Sequence, residues 1–456
     1  MKKLFGALVF MPVIGWAQMS DSLFIKKMSD DIMGNGKAYE NLRQLTKNIG
    51  GRLAGSAQMT MAENWGAETL KALGADKVYM QECKVPNWNR GGEDKATIIK
   101  IGDKKEKRSL DVLALGNSMG SGKKGITAEV LALASFAELE ERSDEVKGKI
   151  VFFNYGFNPT NLQPFRSYGD AGIYRRIGAS RAAKYGAVAI LIRSLTEAND
   201  NNPHTGVMAY NDTFPKIPAA ALGLKDADYL WTTCKRNPSV RVSLFTNGSF
   251  LPEATGHNVI AELKGTQFPN EFITVGGHLD SWDVNEGAHD DGAGIVQTME
   301  VMRALKAMNY TPKRTLRFVL FANEENGGAG GDAYAAAAIA NNEKHIFALE
   351  SDAGGFTPRG FGFTTSPEKL SKVMEWKSLF LPYGVYDFRQ GGGGSDIGPL
   401  NRKLGTSLAG LSPDGQRYFD VHHARSDVFE NVNKRELHLG AVNMAALIYL
   451  VDKYGL

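Results

Sequence analysis

The chain has 456 residues, of which 43% are hydrophobic and 23% are charged, and its formal net charge is +3. This length exceeds what one hydrophobic core usually supports, so we expect two domains, or one domain with a large insert. The composition excludes a disordered or fibrous protein. The sequence has no basic cluster interleaved with aromatic residues, so it gives no reason to propose nucleic acid as a ligand.

A cleavable targeting segment is predicted for residues 1–17. Lys2 and Lys3 precede an apolar run from Leu4 to Trp16, and the small residue Ala17 is a plausible cleavage position. The competing interpretation is a membrane anchor, but the apolar run is shorter than the about 20 residues that a spanning helix needs. We therefore expect export to a secreted or periplasmic location, without stable insertion of the processed chain into a membrane.

The next part of the chain changes its pattern at about residue 95. Residues 37–86 are typical of two helices followed by a strand, and from residue 95 to 251 short β-rich pieces such as Ile150–Asn154 are separated by turn residues. A helix-to-strand unit runs from Tyr174 to Ile192 within this region. We interpret residues 95–251 as a β-rich domain inserted into another domain, which consists of residues 18–94 and 252–456.

After Pro252 the pattern alternates between strands and helices, which predicts an α/β fold with a mainly parallel sheet flanked by helices. A helix is predicted from about Asp291 to Met308, and the last one, Lys434–Tyr454, has Asn433 as its cap and Glu436 at the capping-box position. The predicted strands are Phe272–Gly276, Thr315–Phe321, Ile346–Glu350 and Thr406–Leu411.

Acids and histidines follow three of these strands. The first strand runs into His278 and Asp280, the second into the pair Glu324-Glu325, and the third into Asp352. In open α/β sheets, functional residues collect beyond the carboxyl ends of the strands. We therefore expect these side chains to meet at one edge of the sheet.

Two more polar segments complete the candidate metal ligands, namely Asp290-Asp291 at a helix start and His422-His423 near the end of the chain. Zinc accepts imidazole and carboxylate ligands, and a carboxylate such as that of Asp290 can bridge two ions. Each segment alone has an ordinary structural interpretation, such as a helix cap or a solvated turn.

The two cysteines, Cys83 and Cys234, are too few for a thiolate site, and whether they pair is left open.

Together these motifs resemble peptidases of family M28, and within that family the carboxypeptidase Q group. The segments that carry the resemblance are GRLAGS at 51–56, VKGKIV at 146–151, GGHLDSWD at 276–283, GAHDDGAG at 287–294, NEENGG at 323–328, SDAGG at 351–355 and HHARSD at 422–427. The resemblance implies a zinc-exopeptidase fold with an inserted domain of the protease-associated type.

The resemblance also implies a ligand set for two zinc ions. One ion would be held by His278 and Asp352, the other by Glu325 and His423, with Asp290 bridging them. The choice of His423 over its neighbour His422 rests on the count of four residues back from Asp427 in the family motif.

Two further carboxylates have implied roles beside the metals. Glu324 resembles the general base of the family, and Asp280 resembles the residue whose carboxylate accepts the far N–H of the His278 ring. The loop Gly391–Gly394, followed by Ser395 and Asp396, resembles a loop near the substrate cleft and is assigned no catalytic role.

The expected function is therefore that of a secreted, dinuclear zinc exopeptidase acting on dipeptides or other short peptides. Two alternatives stay open, namely a glutaminyl cyclase-like acyltransferase with one zinc and a receptor-like binding protein without catalysis. A homodimer is a further expectation, since members of this group often dimerise. The peptide terminus that is recognised does not follow from the motifs.

Overall fold

The computed structural model describes residues 14–237 and 239–456. Residues 1–13, most of the predicted targeting segment, lie outside the described residues. Within the described part, none of the helices combines the length and apolar character that crossing a bilayer requires.

The strands of the described residues form two sheets of eight strands each. In chain order they are β1 Lys77–Asn89, β2 Lys95–Ile101, β3 Lys104–Leu110, β4 Val112–Ala114, β5 Ile126–Leu133, β6 Ile150–Phe153, β7 Ala189–Arg193, β8 Ala219–Leu222, β9 Val240–Phe245, β10 Ser249–Leu263, β11 Phe268–His278, β12 Arg314–Phe321, β13 Lys344–Glu350, β14 Pro358–Thr364, β15 Asp387–Gln390 and β16 Ser407–Pro413.

The α-helices cover both sheets. They are α1 Ile14–Asn35, α2 Ala38–Gln44, α3 Ala57–Ala72, α4 Phe136–Glu141, α5 Pro164–Ala183, α6 Leu224–Arg236, α7 Ala293–Ala307, α8 Ala329–Ala340, α9 Pro367–Glu375, α10 Lys377–Phe380, α11 Gly398–Leu404, α12 Tyr418–Val421 and α13 Lys434–Tyr454.

The first sheet has the order β1-β10-β12-β11-β13-β16-β14-β15. Its centre, β12-β11-β13-β16, is parallel and consists of the four strands predicted from the sequence, whereas β10 and β14 run antiparallel to their inner neighbours. The central strands are buried on both faces, which is why they read as continuous apolar runs. The predicted α/β fold is confirmed, although the sheet is mixed at both sides.

Two layers of helices cover the first sheet. Leu316, Phe318 and Leu320 of β12 pack toward α1, α2, α3, α7 and α13, while Val319 and Phe321 face α8 and α11 on the other side. This alternation follows from the two-residue period of a strand. Asn433 caps α13 by accepting N–H donors from the first turn, as predicted, but the Glu436 side chain bonds Thr357 instead of completing a capping box.

The second sheet, β3-β2-β9-β5-β6-β7-β8-β4, is built only from residues 95–245. Helices α4 and α5 pack on one of its faces and α6 on the other. Strand β10 starts at Ser249, opposite Asn89 of β1, and continues into the first sheet across the predicted boundary at residue 251. The domain division and the protease-associated type of the insert stay predictions.

Val207, from the region of the second sheet, packs against a small apolar cluster of Leu53, Trp88 and Trp282. Beside it, the guanidinium of Arg90 donates two hydrogen bonds of 2.8 Å to the carboxylate of Asp283. The cysteines lie in different parts of the fold, on β1 and α6, and both are free thiols.

Candidate metal centre

The predicted ligands gather at the carboxyl edge of the parallel strands. His278 ends β11, the pair Glu324-Glu325 follows β12, and Asp352 follows β13. Asp290 lies in the turn before α7, and His423 follows α12. Five segments that are distant along the chain therefore deliver imidazoles and carboxylates to one place.

The carboxylate of Asp290 lies at the middle of this cluster. Its Oδ1 is 3.2 Å from Nε2 of His278, and its Oδ2 is 3.3 Å from Nε2 of His423. The His278 nitrogen is also 3.4 Å from Asp352 Oδ1, and the His423 nitrogen is 3.1 Å from Glu325 Oε2. Each oxygen of Asp290 thus faces a different histidine, with one further carboxylate beside each ring.

Several of these atoms are buried without a hydrogen-bond partner among the described residues. They are Nε2 of His278, Oδ2 of Asp290 and Oε1 of Glu325. Buried polar atoms are almost always satisfied in native proteins, so such orphans indicate a missing ligand. Their nitrogen and oxygen donors are of the types that zinc accepts, and the residues fit a site for divalent cations.

The electrostatics of the cluster also favour bound cations. Burial and the neighbouring Asp290 raise the pKa of Glu325 to about 8, and burial together with Asp352 and Asp290 raises the pKa of Glu324 to about 7. Burial alone would lower the pKa of His278, but the carboxylates around the ring raise it well above its usual value. Crowded carboxylates of this kind are stabilised by positive charge brought among them.

The two adjacent glutamates point in different directions. Glu325 is buried against His423, whereas Glu324 is partly exposed and lines a cavity of about 360 Å³ together with Asp290 and Asp352. A carboxylate that reaches the cavity beside the ligands is suited to proton transfer.

Asp280 contacts both His278 and the glutamate pair, and its carboxylate lies closer to the glutamates than to the His278 ring. Its main-chain carbonyl accepts the hydrogen bond from Nδ1 of His278 at 3.0 Å, while its carboxylate is 3.7 Å from that nitrogen. The carboxylate instead accepts the N–H groups of Glu324 at 3.0 Å and Glu325 at 3.2 Å. Asp280 therefore orients the histidine through its main-chain carbonyl and the glutamate pair through its carboxylate.

Two further acids fix the segment that carries Asp290. The carboxylate of Asp427 accepts the N–H of His289 at 2.7 Å and that of Asp290 at 3.1 Å, and the peptide bond between Asp290 and Asp291 is cis. Asp291 accepts the N–H groups of His278 and Gly294. From the sequence, a helix cap was only the alternative interpretation of Asp290-Asp291, and Asp427 served only as the reference for choosing His423.

Arg52 is a buried residue that the sequence reasoning did not assign to the site. Its guanidinium donates to main-chain carbonyls on both sides of the cluster, namely those of Leu279, Glu286 at 2.8 Å and Gly287 at 3.1 Å. It joins the turn after His278 to the turn before Asp290. Arg52 is part of the GRLAGS motif, which was recognised in the sequence. The motif does not show which main-chain carbonyls the arginine binds in the folded chain.

Residues of the second sheet's helix α5 also line the cavity. Tyr168 and Arg175 line it together with Asp290 and Glu324, and Arg175 Nη2 donates to Tyr168 Oη at 2.6 Å. No motif marked these residues, because their relation to the metal cluster exists only in the folded chain.

A second cavity of about 540 Å³ adjoins the cluster at Asp352. The glycines Gly391–Gly394 form part of its wall, and Ser395 lines the cavity that contains Glu324. The loop therefore lies beside the metal cluster, and its proximity to a substrate cleft stays a prediction.

The two histidines of the HHARSD motif lie side by side, with ring centroids 3.6 Å apart. His423 is within 3.3 Å of both Asp290 and Glu325, whereas Nε2 of His422 is 3.5 Å from Asp290 Oδ2.

Known proteins share both the sequence and the fold. Residues 258–448 match the family model for Peptidase family M28. Carboxypeptidase Q from Xenopus laevis is 36% identical over 434 residues, which covers 94% of this chain and 89% of that protein. The crystal structure of a Peptidase M28 precursor from Shewanella amazonensis SB2B is 32% identical, with a TM-score of 0.89 and coverage of 95% of this chain and 97% of that chain.

A more distant solved structure has the same fold. A zinc aminopeptidase from Bacillus subtilis is 20% identical, with a TM-score of 0.65 over 91% of this chain and 94% of that chain. The resemblance inferred from the motifs is confirmed, and the chain belongs to peptidase family M28.

Proposed function

We propose that this member of the M28 peptidases is an exopeptidase that uses two zinc ions to hydrolyse dipeptides or other short peptides. The observation that carries the proposal is the carboxylate of Asp290, whose two oxygens face Nε2 of His278 and Nε2 of His423 at 3.2 and 3.3 Å. A carboxylate placed between two imidazoles in this way is suited to bridge two cations.

The remaining ligands would complete the two sites. His278 and Asp352 would hold one ion, and Glu325 and His423 the other. When bound, the zinc ions supply Lewis acidity that polarises the peptide carbonyl and lowers the pKa of water. His423 is favoured over His422 because its ring nitrogen also lies 3.1 Å from Glu325 Oε2.

Glu324 performs the proton transfers of this proposal. Its carboxylate accepts a proton from the attacking water and delivers that proton to the nitrogen of the leaving amine. The Asp280 carboxylate holds the main-chain N–H of Glu324 at 3.0 Å, which fixes the backbone from which the base projects.

The position of Arg175 favours a short substrate that has a free carboxylate. Its guanidinium is buried and lines the cavity of about 360 Å³ that is otherwise rich in acids. Its hydrogen-bond acceptors in the described part of the chain are Tyr168 Oη and Thr205 O, neither of which is an anion. A carboxyl terminus of the substrate would supply the missing negative charge, since guanidinium groups bind carboxylates in a fixed geometry.

The test compares three substrates with the zinc-loaded protein: a dipeptide, its N-acetylated form and its C-terminally amidated form. We expect hydrolysis of the free dipeptide and slow hydrolysis of the amide, with a raised KM for the free dipeptide in Arg175→Gln. Arg166→Gln, an exposed arginine on the same helix, is the matched control. Equal rates on the free and amidated dipeptides would contradict recognition of the carboxyl terminus.

Metal counting separates the two-ion function from the cyclase-like alternative. We expect two zinc ions per chain by elemental mass spectrometry. A ratio near one, together with cyclisation of peptides that begin with glutamine, would replace the proposal with the alternative.

Export and processing after Ala17 are part of the proposal, and the N-terminal sequence of the exported protein tests them. The homodimer stays a prediction, which sedimentation of the purified protein checks.

A further inference from the structure

We propose that His204 and Thr205, in the region of the second sheet, position the ligand His423 and thereby couple this region to the occupancy of the ion held by Glu325 and His423. These two residues form a segment called the strap. The inference rests on the two-zinc function proposed above, but it concerns residues that lie outside every motif of the metal cluster.

Three hydrogen bonds tie the strap to the two histidines. The Thr205 N–H donates to the carbonyl of His423 at 3.0 Å, and the His423 ring returns a bond from Nδ1 to the carbonyl of Thr205 at 3.3 Å. His204 donates from Nδ1 to the carbonyl of His422 at 2.7 Å. Main chain and side chain of the ligand are therefore both held by the strap.

The strap is itself anchored in the second sheet's region. The N–H of His204 donates to Ser194 Oγ at 2.9 Å, just after β7, and Thr205 Oγ1 donates to the carbonyl of Ala114 at 2.9 Å, at the end of β4. Both strap residues are buried, with exposed fractions of 2% and 0%. Strain or displacement in this region is thus transmitted to His423 through short, solvent-shielded bonds.

The protonation of His204 is consistent with this role. Burial lowers its pKa to about 4, so the ring is neutral and carries one proton. A carbonyl acceptor at Nδ1 requires that proton on Nδ1, and Nε2 is buried without a hydrogen-bond partner among the described residues. The imidazole is therefore a single N–H donor aimed at the carbonyl of His422.

The backbone of His423 needs such support. Its φ is +63°, in the left-handed region that side-chain-bearing residues seldom adopt. The bond from Thr205 N–H to the His423 carbonyl holds this conformation, which directs Nε2 toward Glu325 and Asp290. Replacement of residues that position a metal ligand typically lowers metal affinity about 10–100-fold. The ring partner of His423 is the main-chain carbonyl of Thr205, so His204, which bonds the adjacent His422 carbonyl, is the member of the strap whose side chain can be removed.

Gly206 allows the close approach of strap and ligand. A Cβ at this position would lie 2.6 Å from Nδ1 of His423 and 2.4 Å from Nη1 of Arg175. Gly206→Ala is therefore expected to displace the His423 ring although it replaces none of the proposed metal ligands.

The test measures zinc affinity by competition with a chelator, with zinc counted per chain. We expect His204→Leu to bind one of its two ions about tenfold or more weakly than the wild type, and His204→Asn to restore affinity, since the amide places a donor near the position of Nδ1. His438→Leu is the control, because His438 is also a buried imidazole with a pKa lowered to about 4, on α13, a helix that carries none of the proposed ligands.

A second measurement on the wild-type chain needs no variant. Hydrogen exchange of the strap amides is expected to slow by about tenfold or more when zinc is added to the metal-free protein. Unchanged exchange, or a His204→Leu variant that keeps both ions within threefold of wild-type affinity, overturns the coupling. Equal loss of zinc in His438→Leu also overturns it, because the effect would then be general destabilisation.

The outcomes separate the two proposals. If the wild type binds only one ion, the two-zinc function fails and the coupling fails with it. If the wild type binds two ions and His204→Leu binds them equally well, only the coupling fails.

Discussion

Replacement of the proposed general base, Glu324→Gln, separates catalysis from folding and metal binding. The amide has nearly the volume of the carboxylate, and the main-chain bond from Glu324 N–H to Asp280 is unchanged by the substitution. In the metal-free protein, burial and the carboxylates of Asp352 and Asp290 raise the pKa of Glu324 from 4.5 to about 7. Ionisation of this group therefore destabilises the fold by at most about 3 kcal/mol, and the neutral amide removes that effect.

We thus expect the metal-free variant to be as stable as the wild type at pH 8, or more stable, in urea denaturation. Zinc content should stay at the wild-type value, because Glu324 lines the cavity while Glu325 contacts His423. A positioned proton-transfer group contributes about 10²–10⁴-fold to rate. The expected fall in kcat is at least about hundredfold, or about 3 kcal/mol in barrier height, with a smaller change in KM.

The assay is the release of free amino acid from a dipeptide at saturating zinc, with elemental analysis of the same samples. Glu325→Gln is the comparison variant, since it removes a charge 3.1 Å from the His423 ring and should lose zinc. A Glu324→Gln enzyme with kcat within tenfold of wild type would refute the role of general base. Zinc loss equal to that of Glu325→Gln would refute the separation of base from ligand.

Three further predictions follow from the charges and bonds around the cluster. Burial raises the pKa values of Glu325 and Glu350 to about 8, whereas the buried histidines with a lowered pKa are mostly neutral in the unfolded chain as well above about pH 6.5. The folded metal-free protein therefore binds more protons than the unfolded chain between about pH 6.5 and 8, so its Tm should fall as pH rises through this range, and zinc should reverse the fall. Since carboxylates raise the pKa of His278 and His423 well above the usual value, zinc binding at pH 7 should release protons, seen as buffer-dependent heats in calorimetry. Arg52→Met should lower the free energy of unfolding by about 3–5 kcal/mol in urea denaturation, because it leaves several buried carbonyls without a donor, and a loss below about 1 kcal/mol would contradict this.

Local pattern was sufficient to predict the parallel centre of the first sheet. Its four strands are short apolar runs, buried on both faces, and three of them are followed by residues now found in the metal cluster. The cap of α13 at Asn433 was equally local, since it depends on residues within one turn. The outer strands β14 and β15 were not predicted. Gly360 and Gly362 interrupt the apolar run of β14, and β15 is a partly exposed edge strand of four residues.

The sequence alone determined which side chains the candidate site contains, because its imidazoles and carboxylates belong to five compact motifs. The tertiary structure alone decided how those motifs are held. Arg175 and His423 are 248 positions apart, and the bond from His204 to His422 spans 218 positions, so no local pattern relates them. The physical reason is that a ligand's identity belongs to one residue, whereas its orientation depends on hydrogen bonds to main-chain groups that only the folded chain brings within reach.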